Sequence, residues 1–223
     1  MKLLLLLVSS ACAWAQLESP RIGVMLDENS RARPVTGVPA AAVLGAPLFD
    51  AAVISLSCSA HACLAKTESA LVSSSGETVD APPGAALIAW DPGVDGAAYV
   101  YFVETRQLAR WSDGRLDPIA FAPDGDVLSL RATANGYEYV VGRDDDTVNA
   151  ILLLDGGGVL SATDGHVHLL RADGNETDFA LADAGGFIRM SDRYVQVVTS
   201  SGMWALDLDP GHERIFLLPG VPQ

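Results

Sequence analysis

Residues Phe187–Pro219 read FIRMSDRYVQVVTSSGMWALDLDPGHERIFLLP. Four short apolar runs, FIRM, YVQVV, MWALDL and RIFLLP, are separated by the turn signals Ser191-Asp192, Ser200-Ser201-Gly202 and Asp209-Pro210-Gly211. Gly, Pro, Asp and Ser punctuate a chain because each relieves or fixes a turn dihedral. The runs are too short for helices and have the length of strands. The stretch therefore predicts an antiparallel four-stranded meander.

The rest of the chain reads as degenerate copies of it. Ala51–Pro82 offers AAVISLS, ACLAKT, ALVSSS and ETVDA, and Ala85–Ala122 offers ALIAW, AAYVYFVE, QLARWS and LDPIAF. The turns Asp91-Pro92-Gly93, Asp95-Gly96 and Asp113-Gly114 carry residues that tolerate positive φ. Then come DVLSLRA, YEYVVGR, the polar run Asp144–Thr147, NAILLLD, the turn Gly156-Gly157-Gly158, VLSATD, HVHLLRA and TDFALA. No window holds a sustained helical stripe. A period of roughly 30 to 40 residues marks an array. First strands such as ALIAW, NAILLL and FIRM are continuously apolar, as the innermost strand of a propeller blade is, while outer strands such as ETVDA are more polar. The expected fold is all-β, a β-propeller of about five four-stranded blades, with room for a sixth and with one blade incomplete; a β-sandwich is the alternative. Asn149–Asp155 can be read as a third strand or as a first. In the second reading the meander from Val127 lacks its outer strands, and the N-terminal pair Ile22–Leu26 and Arg33–Gly37 is free to complete a short blade.

The N-terminus, MKLLLLLVSSACAWAQ, has one Lys, a Leu run and an A-x-A site at Ala13-Trp14-Ala15. It reads as a secretory signal cleaved after Ala15. A lipoprotein signal at Cys12 competes, but Ser9 stands where Leu or Val is usual. The apolar run is too short for a permanent span, and no later stretch has the length of a transmembrane segment. The domain reading is thus a signal peptide at 1–15, an N-terminal strand pair and extended connector at 16–50, and the propeller at 51–223. Pro39, Gly45 and Pro47 break any helix in the connector Val38–Phe49.

The 223 residues are 49% hydrophobic, enough for a sizeable core, and carry a net charge of −14. That excess repels nucleic acid and anionic surfaces. The protein is expected in the secreted or periplasmic space as a soluble monomer.

Cys58 and Cys63 remain after signal removal. They flank a hairpin turn in ISLSCSAHACLAK, where an oxidising compartment permits a disulfide. Free thiols and a metal site using His61 are the alternatives, and the spacing fits no standard zinc knuckle. His166 and His168 share one face of a strand. They could begin a metal site if Asp164 or Asp173 joined them; partly exposed histidines are the plain reading. Asp144-Asp145-Asp146 lacks the alternating spacing of a calcium loop. The triple glycine precedes no helix and cradles no phosphate. No nucleophile motif is present, and the sequon Asn175-Glu176-Thr177 would mark a surface loop in a eukaryotic secretory protein and is incidental in a bacterial one. Trp90, Trp111 and Trp204, with the strand tyrosines, are expected in the core or between blades.

RARPVTGVPAAAVLGAPL at Arg33–Leu48 carries the pattern RP-x-x-G-V-P-x-A-A-x-L-G; FAPDGDVLSL and GMWALDLD follow later. These resemble secreted bacterial β-propeller repeat proteins of the NHL, YVTN and WD40-like kind. The resemblance is specific only over Arg33–Leu48. The repeat turn of such proteins appears once, as Ala122-Pro123-Asp124-Gly125. It implies a fold and transfers no activity, cofactor or catalytic residue.

Two functions are carried forward. One is a binding or protein-interaction module whose partner, a protein or small ligand, sits at one face of the ring. The other is a propeller hydrolase or lactonase with a metal in the central channel. An enzyme should gather acids and histidines at the axis. Of the residues entering the first strands, Asp50, Gly84, Asp126 and Gly186, two are acidic, which favours binding over catalysis. No catalytic or metal-ligating residue and no cofactor is assigned.

Overall fold

The computed structural model describes residues 20–142 and 148–220. The signal segment, the Cys12 alternative and Asp144–Asp146 lie outside the described residues. The protein is all-β there.

The chain opens with strands β1 (Arg21–Leu26) and β2 (Ala32–Thr36), a 3-10 turn at Pro39–Ala41, and β3 (Val43–Leu44). Four strands follow, β4 (Ser55–Cys58), β5 (Cys63–Lys66), β6 (Ala70–Ser73) and β7 (Thr78–Asp80). The next four are β8 (Ala86–Trp90), β9 (Ala98–Phe102), β10 (Gln107–Ser112) and β11 (Arg115–Ile119). Then come the pair β12 (Val127–Thr133) and β13 (Gly136–Val141) and the four strands β14 (Ala150–Leu153), β15 (Val159–Thr163), β16 (His166–Leu170) and β17 (Glu176–Ala180). The last four are β18 (Ala184–Arg189), β19 (Tyr194–Thr199), β20 (Gly202–Asp207) and β21 (Arg214–Leu217). Every neighbour in sequence within these groups pairs antiparallel, giving an N-terminal sheet and five meanders, of which the first and fifth join edge to edge through β4 and β18.

The predicted hairpins have local causes. At the β10–β11 turn Asp113 and Gly114 take φ of 49° and 71°. Two consecutive positive φ values suit the right-handed twist of a two-residue hairpin. The buried Asp27 carboxylate closes β1–β2 by accepting from the amides of Asn29 and Arg31, each at 2.9 Å, and from Arg33 Nε at 2.6 Å.

Packing runs from sheet to sheet. The first and second meander sheets share Leu64, Leu71, Val100, Phe102 and Trp111. The second and third share Tyr101, Leu108 and Leu130. The fourth and fifth share Leu160, Val167, Leu169, Val197 and Leu206. The first strands touch in the order β4, β8, β12, β14, β18. The last returns to the first, because β18 and β4 run parallel and meet at Arg189 and Ser57. Hydroxyls stitch some of these junctions: Ser55 Oγ accepts from Ala86 N–H at 3.0 Å and Ser129 Oγ from Leu153 N–H at 2.8 Å.

Two expectations are corrected. The sheet from Val127 has two strands, and Asn149–Asp155 begins a new sheet, yet the N-terminal strands do not complete the short one. They form their own sheet wedged between the first and fifth, on the far side of the molecule. Val24 and Ala32 pack with Leu56 and Ala65, while Ile22, Met25 and Val35 pack with Met190 and Ala205. The connector Val38–Phe49 is also not simply extended. Pro39 starts a 3-10 turn, where its missing N–H costs nothing, and β3 then pairs with β2.

Polar groups hold the wedge. Gln196 is fully buried in β19. Its amide donates to Leu26 O at 2.8 Å and accepts from Leu26 N–H at 2.9 Å. Val24 N–H donates to Met190 O at 3.0 Å. Gly23 permits that approach, since a Cβ there would stand 2.5 Å from the Met190 carbonyl oxygen.

Gln196→Leu should strand both backbone groups of Leu26 and cost about 3 kcal/mol. Gln196→Glu keeps the acceptor but sets a buried carboxylate against the Leu26 carbonyl oxygen, and at neutral pH it should cost at least as much. Urea unfolding at constant slope reads the order of the two, and limited proteolysis should cut the N-terminal sheet first in the Leu variant.

Candidate functional site

The first hairpin turn of each sheet follows directly on its inner strand, so these turns gather at one end of the molecule. Four of them enclose a cavity of about 680 Å³. The first sheet contributes Ser59, Ala60 and His61; the second Trp90 to Gly93 with Asp95 and Gly96; the fourth Asp155; and the fifth Asp192. A neighbouring cavity of about 500 Å³ shares Ser59–His61 and Asp192 and runs back along β1.

Each turn is set by its own chemistry. Cys58 and Cys63 face each other directly across β4–β5, with Cα atoms 4.1 Å apart and sulfurs at 2.07 Å. Between them Ser59 Oγ accepts from the amides of His61 and Ala62. Asp91 Oδ1 accepts from Gly93 N–H at 2.9 Å, and Asp91 Oδ2 takes Arg110 Nη2 at 2.8 Å. Asp155 binds Arg189, whose other nitrogen donates to Leu153 O at 3.2 Å. Asp95 and Asp192 stand outside the ion pairs of the described residues. Trp90 is buried at the cavity wall, and its indole N–H has no acceptor among the described residues. The cavity thus offers carboxylates, two of them uncommitted, and suits a cationic or hydrogen-donating group.

The turn carrying Asp192 is braced from behind. Arg193 forms a bidentate pair with the buried Asp207, at 2.7 and 2.8 Å. Ser191 Oγ donates to Ile22 O at 3.0 Å and accepts from Tyr194 N–H. Burial opposes charge on Asp207, but Arg193, the Asp209 amide and Arg214 outweigh it and hold its carboxyl below the usual value of 3.8. The same hydrogen bond raises Arg193 above its ordinary value.

The axis differs from the turn end. A cavity of about 360 Å³ runs between all five inner strands, lined by Ile54, Ser57, Ile88, Leu130, Ile151 and Ile188 among others. Inner strands such as β14 are therefore only half-buried, where the sequence suggested burial on both faces. Arg189 is the ionisable side chain on this axis among the described residues, and Asp155 already binds it. Asp126, expected to enter the axis, turns outward to Arg106. Among the described residues no three His, Cys, Asp or Glu side chains gather as metal ligands.

His168 does not join Asp164 or Asp173. It binds Asp178 across β16–β17 at 2.8 Å, while Asp164 takes Asn149 and Asp173 takes Asn175. Asn175 is exposed on a turn. Trp111 and Tyr101 are core residues, and Tyr139 is the most open aromatic among the described residues, 41% exposed. The acids of the cavity escaped sequence reasoning, although each falls within a few residues after an inner strand: WDPGVD, LLLD and FIRMSD.

No family profile and no curated protein sequence matches the chain. Solved structures do. PorZ, an essential bacterial surface component of the type-IX secretion system of Porphyromonas gingivalis, matches with a TM-score of 0.52 at 10% identity. The match covers 91% of this chain and 38% of PorZ, so the chain spans well under half of that protein. The Neurospora crassa Pan2 WD40 domain gives a TM-score of 0.47 at 10% identity, over 92% of this chain and 80% of that one. YCF48 bound to D1 peptide gives 0.42 at 13% identity, over 90% and 82%. The neighbours are β-propeller or WD40-like proteins, and at such identities the likeness concerns fold alone. Among the described residues no helix is long and apolar enough to cross a membrane.

Asp207→Asn should destabilise the chain by about 2 kcal/mol at neutral pH, because it weakens the charge-assisted bonds that the half-exposed Arg193 makes to a buried acceptor. A carboxyl whose folded pKa is depressed contributes stability above its unfolded value. That contribution is lost as pH falls through 3.8 toward the lower folded value. The gap between variant and unmodified chain should therefore narrow below about pH 4, as urea midpoints along a pH series would record.

Proposed function

We propose that this chain is a secreted or periplasmic binding module, a monomeric β-propeller of about five blades with the third cut to two strands. It takes a protein or small ligand at the end of the ring where the inner hairpin turns gather. The observation that carries this reading is the convergence of turns from four of the five meanders on one acid-lined cavity. Loops on a rigid ring vary freely while the strands hold them in place, which is how such scaffolds host binding sites. The ligand presents cationic or hydrogen-donating groups to Asp95 and Asp192. PorZ, a bacterial surface component, is consistent with an exported location. The domain division stays at 1–15, 16–50 and 51–223, and nucleic acid is not a partner.

The test is capture of partners from the export compartment by the unmodified chain and by an Asp95→Asn/Asp192→Asn double variant. Carboxamides keep the shape and remove the charge. The double variant should lose at least tenfold of any captured partner. Equal capture would move the binding surface elsewhere. The mass of the exported protein should place its first residue at Gln16.

We also propose that Cys58 and Cys63 form a disulfide that fixes the Ser59–Ala62 turn at the cavity. Both cysteines should resist alkylation until reduced. Replacing them with serines should cost about 2 kcal/mol, the low end expected for so short a loop, in a denaturant titration under oxidising conditions.

A further inference from the structure

The third meander sheet stops at β13, while the other four meander sheets continue to a third and fourth strand. Gly142 donates its N–H inward to Asp126 O at 2.9 Å. Successive residues of a strand direct their backbone groups to alternate sides, so Val140 and Glu138 also bond inward to β12. The N–H and C=O groups of Tyr137, Tyr139 and Val141 consequently face outward, with no strand against them among the described residues. Such an edge is a template for another strand.

The two walls of this notch differ. Tyr137 and Tyr139 share the face of Ala132 and Leu130, turned to the second sheet. There Phe121 stacks edge-on against Tyr139 and Tyr137, with ring centroids 5.0 and 5.8 Å apart. Glu138 lies on the other face, paired with Arg131 and more than half exposed. That face looks toward the fourth sheet, whose opposite side is buried against the fifth. The open side of the fourth sheet carries Asp178 and Glu176, both exposed. One wall is aromatic; the other carries Glu176, Asp178 and Glu138, the last two facing His168 and Arg131.

We propose that the outer edge of β13 is a strand-addition site for an extended segment of a partner protein in which apolar and basic residues alternate. The apolar residues lie over Tyr139 and Phe121, and the basic ones meet Glu176, which has no ion pair among the described residues, and compete with Arg131 and His168 for Glu138 and Asp178. A strand has a side-chain period of two, so alternation is the pattern that satisfies both walls at once. A second copy of this chain is a poor occupant, because each copy brings a net charge of −14 and would set acid against acid. The site lies on the side of the ring, away from the turn-end cavity.

The probe is a capped octapeptide of alternating Val and Lys, compared with a block-ordered isomer of the same composition and with alternating Val and Glu. Fluorescence anisotropy measures affinity, and hydrogen exchange locates it. The expected result is at least tenfold tighter binding of the alternating basic peptide than of either control, with new protection at the amides of Tyr137, Tyr139 and Val141. Val141→Pro removes one outward N–H and should weaken binding tenfold or more. Equal affinity of the two Val/Lys isomers, or protection elsewhere, overturns the proposal. Protection of the same amides that rises with the concentration of the protein alone overturns it in favour of a second copy. The exchange pattern on the unmodified chain decides the matter even if the proline variant misfolds. Asp95→Asn/Asp192→Asn should leave this binding unchanged, so failure here and failure of the turn-end cavity are told apart.

Discussion

Each meander sheet of this protein has an apolar face that it cannot bury alone. That constraint organises the molecule. Hydrophobic clusters join the first sheet to the second, the second to the third and the fourth to the fifth, and the inner strands come round until β18 meets β4. The seam there is narrow, since the parallel pairing is confined to Arg189 and Ser57. The N-terminal sheet fills what would otherwise be an open wedge outside it. It does so with apolar side chains from both its faces and with one buried amide that satisfies both backbone groups of Leu26. A buried amide that fulfils its bonding capacity fixes one register and penalises all others.

The same architecture sets where chemistry can occur. Inner strands must stay aliphatic to pack, so the axis carries isoleucine, leucine and serine. Polar side chains collect where strands end. The turns after β8, β14 and β18 bring their aspartates together because those strands converge. Arg189 and Arg110 neutralise two of the carboxylates. The remaining two leave a local negative potential in a chain already rich in acid.

Much of the strand order was legible because Gly, Pro, Asp and Ser interrupt apolar runs at regular spacing, as in Asp113-Gly114 and Asp209-Pro210-Gly211. The two-stranded sheet was legible as one of two readings of Asn149–Asp155. The placement of the N-terminal sheet was not. Its anchor is a single Gln within YVQVV, and a lone polar residue in a strand does not announce its partner. Cys58 and Cys63 were readable as neighbours because a hairpin turn joins them. Asp192 and Asp155 looked like ordinary turn residues, since nothing local shows that two turns 37 residues apart share a cavity. His168 could be placed on a face but not matched to Asp178, which depends on the register of β17.

The bond between Leu26 and Gln196 joins residues separated by 170 positions. Contacts of that sequence separation are costly to form early, because the loop they close must be ordered first. The N-terminal sheet, although synthesised first, thus cannot dock until almost the whole chain is present. Its apolar strands wait exposed through the interval when intermediates are most prone to stick to one another. Folding would thus end with an element made before any of the meanders it locks.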